Sequence, residues 1–303
     1  MSVKTARASG VANVEIDYSK CTACGLCADI CGGGLVGAIF KENGKMVVDQ
    51  QRHFGCIGCG QCMAICPENC ISVEGRTISK NDTIDFVKER KPSYEEFFSL
   101  LSSRRAVRNY LERDVEQEKI DKIIEGVKQA PVGLPPSDVE ILVLKGHSKV
   151  REFVTDIINA IDHRKWIFGP VIRSFIGLFS KETADLFETY LYPTALFYIR
   201  DLKAGKDGLL FNAPLVLYFH ASKYADPADA FIAATYAMLT AEALGLATSF
   251  AGTSSNFLRH NGKLKRKYNI GKNNRHGIAL LIGYPKYEYK RRLHKSLSNV
   301  FYY

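Results

Sequence analysis

The sequence has no stretch of about 20 consecutive apolar residues, the length that a membrane-spanning helix requires. The most apolar candidate, residues 231–247, is interrupted by Glu242. The first ten residues, MSVKTARASG, also lack the apolar core of a secretory signal. These absences predict a soluble, cytoplasmic protein with no membrane partner.

Several common catalytic signatures are absent as well. No P-loop occurs, which argues against an ATPase. Neither H-E-x-x-H nor G-x-S-x-G occurs, so hydrolytic chemistry has no visible residues to carry it. The function has to be sought in the basic residues and the cysteines, which are both abundant.

The formal charge of +9 is concentrated in the second part of the chain. Residues 1–80 carry 8 Lys or Arg against 7 Asp or Glu, whereas residues 81–303 carry 33 against 25. A basic surplus can indicate nucleic acid or an anionic surface, but such runs most often form a solvated face. We therefore expect no nucleic-acid partner. For two groups of basic residues, a bound phosphate is the alternative to a solvated face. These groups are Arg104, Arg105 and Arg108, and Lys290, Arg291, Arg292 and Lys295.

All nine cysteines fall between Cys21 and Cys70, and eight of them repeat the pattern C-x2-C-x2-C-x3-C. This spacing is typical of two [4Fe–4S] clusters. Disulfides would require an oxidising compartment, and structural zinc usually takes paired C-x2-C knuckles separated by a longer stretch. Cys70 stands outside the repeats and is interpreted as a small buried thiol. The repeats are Cys21, Cys24, Cys27 and Cys31, and Cys56, Cys59, Cys62 and Cys66.

Hydrophobic periodicity predicts an α+β protein without the regular strand–helix alternation of a Rossmann domain. We divide it into a domain over 1–80, a charged linker over 81–93 and a domain over 94–303. The region 150–204 is expected to form packed helices, and a lid. Helices are predicted over 94–103, around 120–127 and over 231–246; strands are predicted over 14–16, 46–48, 71–73, 139–144, 215–219 and 277–283.

The two cysteine repeats resemble those of bacterial two-cluster ferredoxins. The resemblance implies crossed ligation, in which the fourth cysteine of each repeat serves the other cluster. One cluster would use Cys21, Cys24, Cys27 and Cys66, and the other would use Cys56, Cys59, Cys62 and Cys31. The first repeat departs from that family after Cys31, where three glycines, 32–34, stand in place of the usual proline.

Residues 102–110, SSRRAVRNY, resemble the S-R-R-S-V-R-x-[YF] signature that opens proteins of the nitroreductase family. Four residues nearly complete a helical turn and also preserve strand alternation, so Arg104 and Arg108 would share one side in either structure. In the family these positions bind the phosphate and ribityl chain of FMN. The resemblance carries this role to Arg104, Arg105 and Arg108, while Ala106 replaces the usual serine at the site.

Three later segments match the same family in order. Residues 130–137 resemble its A-P-S loop near the flavin, which implies contacts from Pro131 and Ser137. Residues 243–252 resemble its A-L-G-L stretch and the following loop along the isoalloxazine. Gly283-Tyr284-Pro285 resembles its closing turn, followed by basic residues that return to the phosphate. The implied contacts in these two segments are Ser249, Phe250, Ala251, Gly252, Arg291 and Arg292.

The combined resemblance implies an iron–sulfur flavoprotein that passes electrons from two clusters to FMN and on to a small organic acceptor such as a nitroaromatic. It also implies a homodimer and a low-potential ferredoxin or reductase as donor. Quinones or activated double bonds are alternative acceptors. A non-enzymatic electron-transfer or redox-sensing module with the same cofactors is the alternative from a different class. No catalytic acid is expected from the protein.

Overall fold

The computed structural model describes residues 10–32, 37–52, 54–85, 87–164, 180–259, 261–274, 276–293 and 295–303. The chain forms two compact units. The first comprises Met1–Lys91 together with Pro131–Glu140 and Ala221–Asp229; the second comprises Pro92–Ala130, Ile141–His220 and Ala230–Tyr303. In these described ranges no helix is both long and apolar enough to cross a membrane.

The first unit contains two short antiparallel sheets and two short helices. Strand β1 (Asn13–Ile16) pairs with β4 (Ile71–Glu74), and β2 (Ile39–Glu42) pairs with β3 (Lys45–Val48). Three of these strands confirm the predicted ones. Strand β2 was missed, although the Asn43-Gly44 pair that follows it, with φ of 50° and 77°, is a strong hairpin signal.

Each cysteine repeat contains a helix of five residues that starts directly before the third cysteine. These helices are α1 (Leu26–Ile30) and α2 (Gln61–Ile65). The residue before each helix is a glycine in the left-handed region, Gly25 with φ 95° and Gly60 with φ 69°. Only glycine adopts this region without steric cost, so it allows a sharp entry into the helix. The chain therefore turns tightly between the second and third cysteines of each repeat.

Replacing Gly60 by Ala should destabilise the first unit. A Cβ there would lie 2.6 Å from Cδ1 of Ile78, and the left-handed backbone itself costs about 1–2 kcal/mol for a side chain. Gly44→Ala is the matched control, because Gly44 has φ 77° but nothing within 4 Å of its added Cβ. In thermal denaturation we expect Gly60→Ala to lower the melting temperature further than Gly44→Ala, and equal losses would contradict the predicted clash.

The second unit is built on a four-stranded sheet of order β5-β6-β8-β7. Strand β6 is buried along its whole length, as its sequence LVLYFHA predicts for a central strand. Strands β7 and β8 pair antiparallel, with Ala247 opposite Gly283 and Ala251 opposite Ala279. The strands are β5 (Val139–Lys145), β6 (Leu215–Ala221), β7 (Ala247–Ala251) and β8 (His276–Gly283).

Helices pack on this sheet and confirm the predicted α+β class. The core includes the fully buried Phe153 and Ile157 of α5. The alanine-rich α8 approaches α4 so closely that a Cβ on Gly126 would lie 2.2 Å from Oγ1 of Thr240. The helices are α3 (Tyr94–Ser103), α4 (Gln117–Lys128), α5 (His147–Asp162), α6 (Lys181–Leu186), α7 (Tyr192–Lys203), α8 (Asp229–Ala243), α9 (Gly252–Arg259) and α10 (Gly262–Lys267), with a π-helical turn over Phe187–Leu191 and a 3-10 turn over Lys88–Arg90.

The structure differs from one expectation of the sequence and confirms part of another. The segment 249–252, expected to be a loop, is instead the end of β7 and the first residue of α9. Its small and polar residues suggest a loop, but cross-strand pairing with β8 satisfies the backbone and makes it a strand. In the 150–204 region the packed helices are confirmed for the described part; residues 165–179, with Trp166 and Phe175, lie outside the described residues.

Candidate functional site

The structure brings the cysteines of the two repeats together in crossed sets. One cavity in the first unit is lined by three cysteines of the first repeat and the last cysteine of the second: Cys21, Cys24, Cys27 and Cys66. Helix α1 supplies Cys27, and the left-handed turn at Gly25 directs the chain around the cavity. This is the set that the ferredoxin resemblance implies for one cluster.

A second cavity, of about 240 Å³, is lined by the complementary set of cysteines. Its walls also include Ile39 of β2 and Gly60 before α2, so the short sheet and the second repeat enclose it together. A Cβ on Gly37 would lie 1.8 Å from the carbonyl oxygen of Cys31, which shows how closely the backbone at Gly37 approaches that cysteine. The set is Cys31, Cys56, Cys59 and Cys62.

The surroundings of these sulfurs suit a buried cluster. Burial raises the pKa of the Cys62 thiol to about 12 and also raises the pKa values of Cys27 and Cys56. These thiols are therefore neutral unless a metal centre displaces their protons. The backbone N–H of Gly58 donates to Sγ of Cys56 at 3.4 Å, a contact that supports a ligand thiolate.

Cys70 lines the first cavity together with the four predicted ligands. Its Sγ lies 3.4 Å from Sγ of Cys66, and its backbone N–H points at the same sulfur at 3.5 Å. The side chain is 6% exposed, as expected for a buried thiol. Within the described residues, no three His, Cys, Asp or Glu side chains converge closely enough to share a single metal ion. A [4Fe–4S] cluster does not require such convergence, because each of its four cysteines binds a different iron.

The predicted FMN segment runs in extended form after the end of α3. Ala106 forms a parallel bridge with Thr248 of β7, and the backbone N–H of Val107 donates to the carbonyl of Thr248 at 2.9 Å. Tyr110 forms a second bridge with Pro285. The extended conformation thus resolves the helix-or-strand alternative and fixes the arginine segment along the edge strand of the sheet.

A cationic cavity of about 550 Å³ lies in the second unit between α3 and the C-terminal segment. The guanidinium of Arg105 donates from Nη1 to the carbonyls of Ser102 and Arg104, both at 2.8 Å, and so provides hydrogen-bond donors to backbone carbonyls at the C-terminal end of α3. Nη1 of Arg292 donates to Oγ of Ser102 at 3.2 Å. The cavity is lined by Phe98, Leu101, Ser102, Arg105, Arg292, Leu293 and Lys295.

Other residues assigned from the resemblance lie around or apart from this cavity. Arg291 contributes its backbone carbonyl, which accepts from Nη2 of Arg105 at 3.3 Å. The guanidinium of Arg108 lies 5.5 Å from the centre of the Phe211 ring. Two assigned residues of the 131–137 loop, Pro131 and Ser137, belong to the first unit, whereas the arginines belong to the second.

Strand β7 adds hydroxyl groups that have no protein partner in the described part of the chain. Oγ of Ser249 and Oγ1 of Thr248 are buried without a hydrogen bond. Ser249 was assigned to the flavin, and a buried hydroxyl without a partner in this segment fits a strand that accompanies a polar ligand. Phe250, on the opposite side of the strand, is 38% exposed and can present an apolar surface.

The sequence assigns two of the seven residues that line the cationic cavity to cofactor binding, Arg105 and Arg292, and leaves five unassigned: Phe98, Leu101, Ser102, Leu293 and Lys295. Phe98 and Leu101 fall within the helix that the sequence predicts over 94–103, and Ser102 belongs to the arginine signature. Lys295 belongs to the basic group for which the sequence analysis considers a bound phosphate, but it is not among the assigned flavin contacts. These residues line one cavity because the end of α3 and the C-terminal basic run lie side by side in the folded chain. This proximity depends on tertiary contacts, so the local sequence does not indicate it.

Comparison with known proteins supports this architecture. The sequence pattern of the nitroreductase family matches residues 101–284, and that of the 4Fe-4S binding domain matches residues 14–34. Ferredoxin-3 of Nostoc sp. is 34% identical, over 18% of this chain and 71% of that protein. A nitroreductase with bound FMN from Bacteroides fragilis has a TM-score of 0.51 and 15% identity, over 69% of this chain and 99% of that chain.

A second solved structure, a nitroreductase with bound FMN from Desulfitobacterium hafniense, gives a TM-score of 0.48 and 15% identity, over 69% of this chain and 97% of that chain. The family pattern spans more than half of the chain. The protein belongs to the nitroreductase family and carries a ferredoxin-like 4Fe-4S segment before the family domain. The prediction of a ferredoxin-fused, nitroreductase-type oxidoreductase is thereby confirmed.

Proposed function

We propose that this chain is an oxidoreductase that takes single electrons into two [4Fe–4S] clusters and delivers them through FMN to a small organic acceptor. The observation that carries the proposal is the pair of cysteine-lined cavities in crossed sets, within a chain of the nitroreductase family. The family pattern for 4Fe-4S binding covers the first repeat, and the second cavity supports a second cluster.

The chain's residues fit an FMN site as well as the clusters. Three cationic side chains, those of Arg105, Arg292 and Lys295, line one cavity whose volume suits a cofactor-sized ligand. Guanidinium groups pair well with phosphate oxygens because they donate two parallel hydrogen bonds. When bound, FMN would couple the single-electron chemistry of the clusters to two-electron reduction of the acceptor.

The residues of this chain would bind and orient the cofactors. Arg104, Arg105, Arg108, Arg291 and Arg292 would hold the phosphate and ribityl end, as in the family, and Ala106, Pro131, Ser137 and the 249–252 segment would line the ring. The eight repeat cysteines would hold the iron. We propose no acid–base residue, because the acceptor can take its proton from solvent.

We further propose a homodimer in the cytoplasm, with a low-potential ferredoxin or reductase as donor. The exposed apolar side chains of α3 support self-association, since Phe97, Phe98 and Leu101 are each more than 40% exposed in the single chain. Nitroaromatics are the proposed acceptors. Quinones and activated double bonds would use the same cofactors, and the apolar residues beside the cationic groups suit any flat, conjugated acceptor.

The cofactor content tests the proposal directly. Anaerobically prepared protein should contain about eight iron atoms, about eight acid-labile sulfides and one FMN per chain, because two cubane clusters each carry four of both. Cys70→Ala should leave the iron content unchanged, whereas Cys59→Ser should lower it by about half. Zinc without labile sulfide, or iron loss in Cys70→Ala, would contradict the proposed ligand set.

Turnover then separates the enzyme from an electron-transfer module. The reduced, anaerobic protein should be reoxidised by members of a panel of nitroaromatics, quinones and enones, with multiple turnovers when a chemical reductant is supplied. Reoxidation by one compound class identifies the acceptor chemistry. Failure of every compound to be reduced while a protein acceptor is reduced would favour the electron-transfer module.

A further inference from the structure

The C-terminal end of α3 is anchored by a guanidinium group from outside the helix. The last turn of α3, LLSS, contains no basic residue, although the final carbonyls of a helix carry a partial negative charge and favour a nearby cation. Arg105 supplies this cation, because its Nη1 donates to the carbonyls of Ser102 at 2.8 Å and Ser103 at 3.5 Å. One side of the Arg105 guanidinium is therefore held by α3.

The other side of the same guanidinium reaches the C-terminal segment of the second unit. Nη2 of Arg105 donates to the backbone carbonyl of Arg291 at 3.3 Å, although the two residues are 186 positions apart in the sequence. Residues 286–293 contain no helix or strand, so side-chain contacts have to fix the position of this segment. Arg105 therefore links the end of α3 to a segment of the same unit that has no regular structure of its own.

The next residue of the segment, Arg292, contacts the same end of α3 and lines the cationic cavity. Its Nη1 donates to Oγ of Ser102 at 3.2 Å, and this hydroxyl donates to the carbonyl of Ser99 at 3.1 Å. The hydroxyl of Ser102 thus orients the guanidinium of Arg292. Arg105 holds the neighbouring backbone at Arg291, so the backbone and the side chain of this pair are both fixed against α3.

Such fixing matters because Arg292 is exposed whereas Arg105 is half-buried. An exposed arginine samples many rotamers, and a ligand that orders it loses part of its binding free energy to this conformational entropy. Contacts that orient the guanidinium before a ligand binds reduce that cost. The contacts of Arg105 therefore affect how well Arg292 binds an anion in the cavity, even where Arg105 does not touch the anion.

We propose that Arg105 is a positioning residue for the phosphate of FMN, which fixes the backbone at Arg291 against α3 and so orients the guanidinium of Arg292 in the cationic cavity. This inference rests on the proposed function, because that function assigns the cavity to the phosphate end of FMN. It refines the part that Arg105 takes in holding this end: Arg105 acts through Arg292.

The test is a double-mutant cycle on the full-length, cluster-loaded chain. Equilibrium dialysis measures the dissociation constants of FMN and of riboflavin, which lacks the phosphate. Arg105→Lys keeps a cation at the end of α3 but loses the planar fork that reaches Arg291. We expect Arg105→Lys to weaken FMN binding by about tenfold, Arg292→Ala by about 10- to 100-fold, and the double variant to bind FMN as Arg292→Ala does. Riboflavin should bind equally to all four proteins.

Limited proteolysis measures the attachment of the segment separately from flavin binding. Trypsin cleavage after Arg291 and Arg292 should be faster by about fivefold in Arg105→Lys, because a released segment is a preferred site of proteolysis. Arg266→Lys is the matched control, since it makes the same chemical change at an exposed side chain on α10. Its FMN affinity and its cleavage rate should stay as in wild type.

Losses that multiply in the double variant would overturn the proposal, because they would mean that Arg105 contacts the phosphate independently of Arg292. Wild-type FMN affinity or wild-type cleavage in Arg105→Lys would also overturn it. The same holds if riboflavin affinity falls as far as FMN affinity, since the phosphate would then not be what Arg105 serves.

Ser102→Ala provides an independent test if Arg105→Lys does not fold. It removes the acceptor for Nη1 of Arg292, so it should weaken FMN binding but add no loss to that of Arg292→Ala. Wild-type FMN affinity in Ser102→Ala would overturn the proposal. If the wild-type chain binds no FMN, the proposed function itself fails, whereas the cleavage rates still show whether Arg105 attaches the segment.

Discussion

Cys66→Ser is expected to remove one cluster and disconnect the flavin from its electron donor. Cys66 lines the cavity of Cys21, Cys24 and Cys27, not the cavity of its own repeat. Iron content should therefore fall by about half, and the remaining cluster should be the one at Cys56, Cys59 and Cys62. FMN should be retained, because the cationic cavity proposed for its phosphate end is lined by residues of the second unit.

The kinetic effect should be large. If electrons enter through the cluster of the first repeat, reduction of FMN by a low-potential ferredoxin should slow by about 10- to 100-fold or more. Dithionite is small and diffusible, and it should still reduce the flavin. Stopped-flow measurement of flavin absorbance with each reductant separates the two routes, and equal ferredoxin-driven rates in wild type and variant would mean that electrons bypass this cluster.

The position of Cys70 determines how this experiment is controlled. Its Sγ is only 3.4 Å from Sγ of Cys66, so it is close enough to replace the missing ligand. Cys66→Ser should therefore be compared in the wild-type and Cys70→Ala backgrounds. Full iron in Cys66→Ser, but half in the double variant, would show ligand replacement by Cys70 and leave the crossed arrangement intact. Full iron in both would contradict the crossed ligand set.

Arg292→Ala and Arg104→Ala should each weaken FMN retention by about ten- to a hundredfold. A hydrogen bond to a charged group contributes about 1.5–3 kcal/mol, which corresponds to this range in affinity. The guanidinium of Arg292 lines the cationic cavity and donates to Ser102 at 3.2 Å. Equilibrium dialysis of FMN with the apoprotein measures the effect.

Arg291 and Arg266 provide graded controls for that measurement. Arg291 contributes a backbone carbonyl to Arg105, which survives in Arg291→Ala, so we expect a smaller loss than in Arg292→Ala. Arg266 lies on α10 with an exposed side chain, and Arg266→Ala should bind FMN as wild type does. Equal affinity in all four variants would make the basic residues surface charge only.

The sequence predicted the chemistry better than it predicted the geometry of the site. Cysteine spacing is a local property, and it was sufficient to predict the ferredoxin-like segment that the family comparison confirms. The apolar runs at β5, β6 and β8 are equally local, and the sequence predicts these strands within two residues of their bounds. Strand β7 was missed because its residues, ATSFA, favour a strand only when they pair with β8.

By itself the sequence determined the α+β class, the two cysteine repeats and the arginine signature, because spacing and periodicity act between residues close in the chain. Only the tertiary structure decided which distant groups meet. It brought Arg292 and Lys295 to the end of α3, placed Cys70 beside Cys66, and joined the backbone of Arg291 to the end of α3 through Arg105. Such contacts depend on how whole elements pack, and no local pattern encodes them.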